Sequence, residues 1–183
     1  MAIIDLLSVV PAFFITICVI LGSIVGSFLN VVVYRLPIMK QRDWNQQCCD
    51  YLEIENTVPI PNDPIAEFEV FNLWKPDSYC LKCNQKIRVR ENVPILSYIF
   101  LGGKCFKCKK PISPRYPLVE FANGLLSGLV GYTFGATWLT LAALILVWSL
   151  VVLALIDFDH QLLPDDITIP LLWLGLLVNT LDL

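Results

Sequence analysis

The chain has 183 residues, of which 56% are hydrophobic and 16% are charged. Soluble globular domains are close to half apolar and about a quarter charged, so this composition, with a mean hydropathy of +0.67, favours a membrane protein whose surroundings include a lipid bilayer. A net charge of −3 without a polybasic arm gives no support to a nucleic-acid partner, and we expect none.

The first apolar stretch runs from Leu6 to Tyr34 without a charged residue. It is long enough for one transmembrane helix, since about 20 residues cross the core of a bilayer. No basic region precedes it and no small-residue cleavage site follows it, as a signal peptide would require. We therefore predict a first transmembrane helix over residues 8–34.

A loop domain is predicted over residues 35–116. All 13 Lys and Arg residues of the chain lie between Arg35 and Arg115. Basic residues beside membrane spans mark the cytoplasmic side, so the loop is predicted to be cytoplasmic and the N-terminus periplasmic. The first half of the loop has weak signals, which indicate a short helix and irregular chain.

Two C-x-x-C pairs, Cys80–Cys83 and Cys105–Cys108, stand 21 residues apart in the second half of this loop. Pairs at about this spacing are typical of a tetrahedral zinc site with four thiolate ligands. Six nearby lysines would offset the negative charge of such a site: Lys82, Lys86, Lys104, Lys107, Lys109 and Lys110. The zinc would be structural, because four cysteines leave no open position. Redox-active dithiols and unpaired thiols are the alternatives.

A second apolar stretch, from Phe121 to Ile156, is too long for one span. The segment "GYTFGATW" (Gly131–Trp138) interrupts it with glycines and interfacial aromatic residues, so we predict two helices joined by a tight turn. A third stretch, Ile167–Leu181, predicts a fourth helix. The predicted fold is therefore a membrane α-helical protein with about four transmembrane helices, of which the second to fourth lie in residues 117–183, and a cytoplasmic loop domain that resembles a zinc ribbon.

Asp157 directly follows the uncharged stretch, at the boundary of the predicted membrane core. Ionisable residues at membrane depth are candidates for function, and a partly desolvated carboxyl group at a helix end is a candidate general acid. An ordinary interfacial aspartate that marks the end of a helix is an equally good interpretation from the residues alone.

Four other acidic residues have simpler interpretations. Asp165 and Asp166 precede the fourth predicted helix, where an N-cap and a first-turn acid are expected. Asp159 is expected to be solvated. Glu120 is expected to be a first-turn residue of the second helix.

Several motifs in order resemble one known family. They are "GSFLNVVVYRLP" (Gly26–Pro37), the two cysteine pairs with "ENVPILSYIFLGGKC", then "RYPLVE" and "IDFDHQLLPD" followed by "PLLWLGL". With these motifs the chain resembles the type IV prepilin peptidase family, membrane aspartic enzymes also called leader peptidase/N-methyltransferases. The resemblance covers essentially the whole chain, and it favours the functional interpretation of Asp157.

The resemblance implies an enzyme of the bacterial inner membrane. Such enzymes remove the basic leader from type IV prepilins and from type II secretion pseudopilins at the cytoplasmic face, and then methylate the new N-terminus with S-adenosylmethionine. Two aspartates act on a water molecule, and Asp157 matches the first. No glycine-rich nucleotide loop follows a strand, so Gly102 and Gly103, between the cysteine pairs, are the candidates for the cofactor region.

One part of the family pattern is missing. The second aspartate belongs to a G-x-G-D motif, which does not occur in these 183 residues. We therefore expect the chain to be the N-terminal portion of a longer protein and to be inactive alone. The alternative hypothesis is a non-catalytic zinc-binding membrane protein that helps to assemble a pilus or secretion system.

Overall fold

The structure, a computed structural model, describes residues 11–53, 71–80, 83, 86, 87 and 93–180. These residues form five helices. They are α1 (Pro11–Tyr51), α2 (Leu96–Phe100), α3 (Arg115–Phe134), α4 (Trp138–His160) and α5 (Asp165–Thr180). Within the described ranges, β-pairing is confined to two isolated bridges, Tyr79 with Lys86 and Lys104 with Pro111.

Two of the described helices, α1 and α4, are long and apolar enough to cross a membrane. The chain is thus mostly helical, as predicted, and has two candidate membrane-spanning helices. The helix α3 has 20 residues and α5 has 16. The interruption of the second apolar stretch falls where it was predicted, because Gly135 ends α3 with a positive φ of 61° and the Thr137 hydroxyl caps α4 by accepting a hydrogen bond from the Thr140 N–H.

The first helix continues beyond residue 34, through Pro37 to Tyr51. A proline removes one backbone hydrogen bond from a helix and bends it, but the flanking turns keep their own bonds. The side chains of Arg35, Leu36 and Pro37 are buried, so tertiary contacts stabilise the helix at this point. The boundary of the membrane along α1 stays a prediction.

The helices α1 and α3 pack antiparallel through small residues. A Cβ on Gly22 would lie 2.5 Å from the Ser127 Cβ and 2.8 Å from the Asn123 carbonyl oxygen. The buried Asn123 amide donates a hydrogen bond of 2.7 Å to the Gly22 carbonyl. Small residues let helix backbones approach closely, and polar side chains then bond across the interface.

Gly22→Ala is expected to lower the thermal stability of the protein, because the new methyl group has no room. Overpacking of this kind costs about 1–3 kcal/mol. Gly175→Ala in α5 is the matched control, since nothing lies within 4 Å of its Cβ position and alanine favours a helix by roughly 0.5–1 kcal/mol over glycine. Thermal unfolding in detergent would measure both, and equal melting temperatures would contradict the close contact.

The helix α4 completes an apolar core with residues 29–36 of α1. The buried members of this core are Leu29, Val32, Val33, Leu36, Val152 and Ile156. Trp148 of α4 donates an indole hydrogen bond of 2.9 Å to the Ser127 hydroxyl, which joins α4 to the α1–α3 interface. Ile156 is fully buried, so the core fixes the last turns of α4.

Candidate functional site: an aspartate cluster and a four-cysteine centre

Asp157 is an exposed residue in the last turn of α4, directly after the buried Ile156. The helix extends past the predicted boundary to His160, and Gln161 ends it in the left-handed conformation. The Gln161 N–H donates a hydrogen bond of 2.8 Å to the Asp157 carbonyl. The backbone of Asp157 is therefore fixed from both sides, by the core and by the helix terminus.

Asp159 forms an ion pair with Arg115, the first residue of α3. The guanidinium donates two hydrogen bonds to the two carboxylate oxygens, at 3.0 and 2.6 Å. Asp159 is exposed, as predicted, but its ion pair was not predicted, because the partner lies 44 residues away and no local pattern reveals it. Bidentate pairs of this kind fix geometry as well as charge, so the pair holds the end of α4 against the beginning of α3.

Asp165 and Asp166 both lie in the first turn of α5, which confirms the prediction of a first-turn acid. The predicted N-cap is wrong, because Asp165 is already the first helical residue. Lys40 of α1 forms an ion pair with Asp166 at 2.6 Å. The part of α1 that continues past the predicted span therefore contacts the start of α5.

The ion pairs divide the aspartate cluster into two groups. Asp159 and Asp166 each have a basic partner on another helix. In the part of the chain that the structure describes, Asp157 has no such partner, and Asp165 forms no ion pair, although its charge acts on Lys40. Both are exposed. A carboxyl group without a fixed cation is available to exchange a proton with a water molecule or a substrate. The geometry thus leaves Asp157 and Asp165 as the candidates for acid–base chemistry.

Glu120 is not a first-turn residue, so that prediction is wrong: α3 begins at Arg115, five residues before it. Glu120 is buried, and its carboxyl group accepts a hydrogen bond of 2.8 Å from the Ile95 N–H. Ile95 has a positive φ of 60°, which is rare for a β-branched residue. The contact therefore attaches the segment between the cysteine pairs to α3.

The four cysteines form one cluster. The Sγ atoms of Cys80, Cys83, Cys105 and Cys108 all lie within 4.8 Å of one another, and those of Cys80 and Cys108 are 3.9 Å apart. Four sulfurs at the zinc–thiolate bond length in a tetrahedron would be about 3.8 Å apart. The predicted residues are thus brought together, and the cluster could hold a metal ion.

Short backbone contacts shape both cysteine pairs. The Cys83 N–H donates to the Cys80 carbonyl at 3.3 Å, and the Cys105 N–H donates to the Lys110 carbonyl at 2.9 Å. The backbone N–H groups of Cys108 and then Lys107 donate to the Cys105 sulfur and lower the pKa of this thiol to about 7. The thiolate is the form that binds metals, so the backbone favours the ligand form of Cys105.

Arg35 connects α1 to the segment that precedes the first cysteine pair. The side chain is buried and donates hydrogen bonds to the carbonyls of Asn72 at 2.9 Å and Pro76 at 2.6 Å. It also stacks on the Phe71 ring, 5.4 Å from its centre. This role of Arg35 was not predicted, because in the sequence Arg35 is only the first residue of the basic region.

Gly102 and Gly103 connect α2 to the second cysteine pair, and both have positive φ, at 59° and 68°. Gly103 is buried, and a Cβ there would lie 2.9 Å from the Tyr98 hydroxyl. Gly102 is exposed and has no atom within 4 Å of its Cβ position. A side chain is therefore excluded at Gly103 by contact as well as by conformation.

The sequence profile of the bacterial peptidase A24 N-terminal domain matches residues 20–134, more than half of the chain. The chain belongs to the bacterial peptidase A24 family. Residues 144–183 of the A24 chain match the type IV leader peptidase family. These matches confirm the resemblance to the prepilin peptidases, and the second includes the entire aspartate cluster.

Three relatives illustrate how far the similarity extends. The A24 chain is 50% identical over 173 residues to a protein of Stutzerimonas stutzeri, covering 94% of this chain and 57% of that protein. It is 48% identical over 179 residues to one of Pseudomonas aeruginosa, covering 98% and 59%. It is 47% identical over 173 residues to one of Neisseria gonorrhoeae, covering 94% and 58%. All three are named prepilin leader peptidase/N-methyltransferase.

The A24 chain therefore spans less than three fifths of the length of these relatives. No solved structure matches it significantly.

Proposed function

We propose that the A24 chain carries part of a membrane aspartic endopeptidase. The enzyme removes the basic leader from type IV prepilins and type II secretion pseudopilins, and it N-methylates the new N-terminal residue. The observation that carries this proposal is the similarity along nearly the whole chain to relatives named for both activities. The position of Asp157, a carboxyl group at the end of a candidate membrane helix with no ion pair among the described residues, supports the first activity.

Asp157 supplies one half of the acid–base pair in this proposal. Hydrolysis of a peptide bond needs a base that takes a proton from water and an acid that protonates the leaving amine. Two carboxyl groups that share one proton meet both needs, since their like charges separate the two titrations. The resemblance assigns the second group to the G-x-G-D motif, so Asp165 serves the helix terminus in this scheme.

The proposed topology has four spans, namely α1, α3, α4 and α5, with a periplasmic N-terminus in the inner membrane. The confinement of all Lys and Arg residues to the interval from Arg35 to Arg115 supports it. The cysteine centre and Asp157 then share the cytoplasmic side, and the turn at Gly135 is periplasmic. Labelling of Leu163→Cys by a membrane-impermeant reagent from the periplasm would contradict this arrangement.

We further propose that the four-cysteine centre binds one structural Zn²⁺, which would tie the two cysteine pairs into one module. S-adenosylmethionine is the proposed methyl donor. The segment that includes Gly102 and Gly103 is its proposed region, supported by an exposed glycine beside a tightly packed one.

The direct test is a cleavage assay with the complete gene product in membranes. A prepilin with a basic leader is expected to be shortened at the boundary between its leader and its apolar helix, and mass spectrometry is expected to find one added methyl group on the new N-terminus when S-adenosylmethionine is present. The proposal would be refuted if membranes that contain the folded, inserted gene product left several prepilins and pseudopilins intact.

A further inference from the structure

The segment between the two cysteine pairs is attached to α3 at a point that lies, along the helix axes, on the apolar side of the basic residues. Glu120 follows Arg115 by five residues, or about 7.5 Å along the helix. A methyl group on Gly26 would lie 2.9 Å from the Glu120 Cα. Gly26 precedes Arg35 by nine residues, which is about 13.5 Å of helix. Since Glu120 also holds the Ile95 N–H, the segment lies beside α1 well before its first basic residue.

The level of this contact can be bounded from both helices. A helical side chain leans toward the N-terminus of its own helix, so the carboxyl group lies between the levels of Glu120 and Tyr116. The Tyr116 carbonyl accepts a hydrogen bond of 3.2 Å from Asn30. This interval of α3 therefore faces residues 26–30 of α1, which belong to the stretch without charged residues. Ile95 is thus held at the depth of the proposed membrane interface.

The short helix α2, directly after Ile95, presents an apolar face to its surroundings. Leu96, Ile99 and Phe100 are 53%, 66% and 85% exposed. They occupy positions i, i+3 and i+4, which share one face of a helix. Tyr98 contacts Gly103 instead. Large apolar side chains on one exposed face mark a surface that contacts a partner or a lipid.

Basic residues lie next to this face. Four exposed lysines follow α2 within ten residues: Lys104, Lys107, Lys109 and Lys110. The Ile112 N–H bonds to the Gly103 carbonyl at 2.8 Å, which keeps them close to the start of α3 at Arg115. Apolar side chains beside lysines are the composition that binds an interface of anionic lipids.

We propose that residues 93–100 form an interfacial anchor that inserts Leu96, Ile99 and Phe100 into the cytoplasmic leaflet, with the neighbouring lysines on anionic phospholipid headgroups and Glu120 as the positioning residue. The anchor would hold the cysteine module, the part of the loop that carries the two cysteine pairs, against the bilayer surface. The proposal rests on membrane insertion of α1 and α3 and on neither enzymatic activity.

Photo-crosslinking tests the anchor directly. p-Benzoylphenylalanine replaces Phe100 in the complete gene product, reconstituted into bilayers of phosphatidylethanolamine and phosphatidylglycerol. Leu125, exposed on the uncharged part of α3, is the lipid-facing reference, and Tyr51, exposed at the far end of α1, is the water-facing one. After illumination, mass spectrometry is expected to find lipid adducts at positions 100 and 125 and none at 51.

The outcomes separate the possible occupants of the apolar face. Lipid adducts at position 100, enriched in phosphatidylglycerol over its share of the bilayer, would support the anchor. Crosslinks from position 100 to another part of the chain or to a substrate, or a lipid yield no higher than at position 51, would overturn it. Equal yields from both lipids would overturn the role of the lysines.

Two variants test the positioning role of Glu120. Glu120→Gln keeps an acceptor oxygen for the Ile95 N–H and is expected to keep the lipid adducts at position 100. Glu120→Ala removes the acceptor and is expected to reduce the adducts at position 100 by about tenfold. A hydrogen bond to a charged group typically changes an equilibrium by at least that factor. The adducts at position 125 are expected to stay. Unchanged adducts at position 100 in Glu120→Ala would show that this residue does not position the segment.

Discussion

Asp157→Asn is expected to lower the rate of prepilin cleavage by the complete gene product by roughly 10²–10⁴-fold, the usual contribution of one general acid–base group. The amide has nearly the same shape as the carboxyl group but cannot exchange the proton that peptide hydrolysis needs. Asp157 has no basic partner in the described parts of the chain, and the buried Ile156 fixes the backbone beside it. The loss should therefore be chemical, with membrane insertion and metal content unchanged.

Controls for this variant come from the same cluster. Asp166→Asn removes an exposed pair with Lys40, which is worth about 0–1 kcal/mol, and should leave cleavage nearly intact. Methylation of a substrate that is already cleaved should survive Asp157→Asn, because methyl transfer does not use this carboxyl group in our scheme. Near-normal cleavage by Asp157→Asn would show that another aspartate acts, and Asp165 would then be the next candidate.

Replacement of Cys105 by serine is expected to release the metal and unfold the cysteine module. A structural zinc contributes roughly 10–16 kcal/mol of coupled folding energy in small peptides, far more than any other contact described for the module. Purified protein should carry one Zn²⁺ per chain, and Cys105→Ser should carry none. Metal analysis together with limited proteolysis of the loop would measure both effects, and both enzymatic activities should fall as a consequence of the unfolding.

Cys48→Ser is the matched control for the zinc prediction. Cys48 is exposed on α1 and lies outside the four-sulfur cluster, so its loss should change neither the zinc content nor the protease resistance. A folded, reduced sample of the unaltered protein without zinc would contradict the metal assignment. The same would follow if Cys48→Ser lost zinc to the same extent as Cys105→Ser.

Local patterns were sufficient to predict the four-cysteine cluster and the division of the second apolar stretch. A C-x-x-C pair places two sulfurs close together by its own geometry, so the fold had only to join the two pairs, as it does at Cys80 and Cys108. Gly135 adopts a positive φ, which glycine tolerates and other residues seldom do. In both cases the residues that determine the structure are neighbours in the sequence.

Contacts between distant residues explain the predictions that were wrong or incomplete. Arg35, Glu120 and Asp159 bond to groups that lie 37, 25 and 44 residues away. From the sequence, a charged residue is assigned to water or to a helix terminus, because its distant partner is unknown. The passage of α1 through Pro37 was missed for the same reason, since Arg35, Leu36 and Pro37 are buried there against other elements.

Two buried charged side chains hold the cysteine module, and their contacts can form at different times during synthesis on the ribosome. Arg35 and its acceptors at Asn72 and Pro76 leave the ribosome before any residue of α3, whereas Glu120 follows Ile95 by 25 residues. At about 5–20 residues per second, α1 can receive the first cysteine pair several seconds before α3 is complete. Loss of Arg35 would therefore disturb the nascent chain, and loss of Glu120 would disturb only the final docking step of biosynthesis.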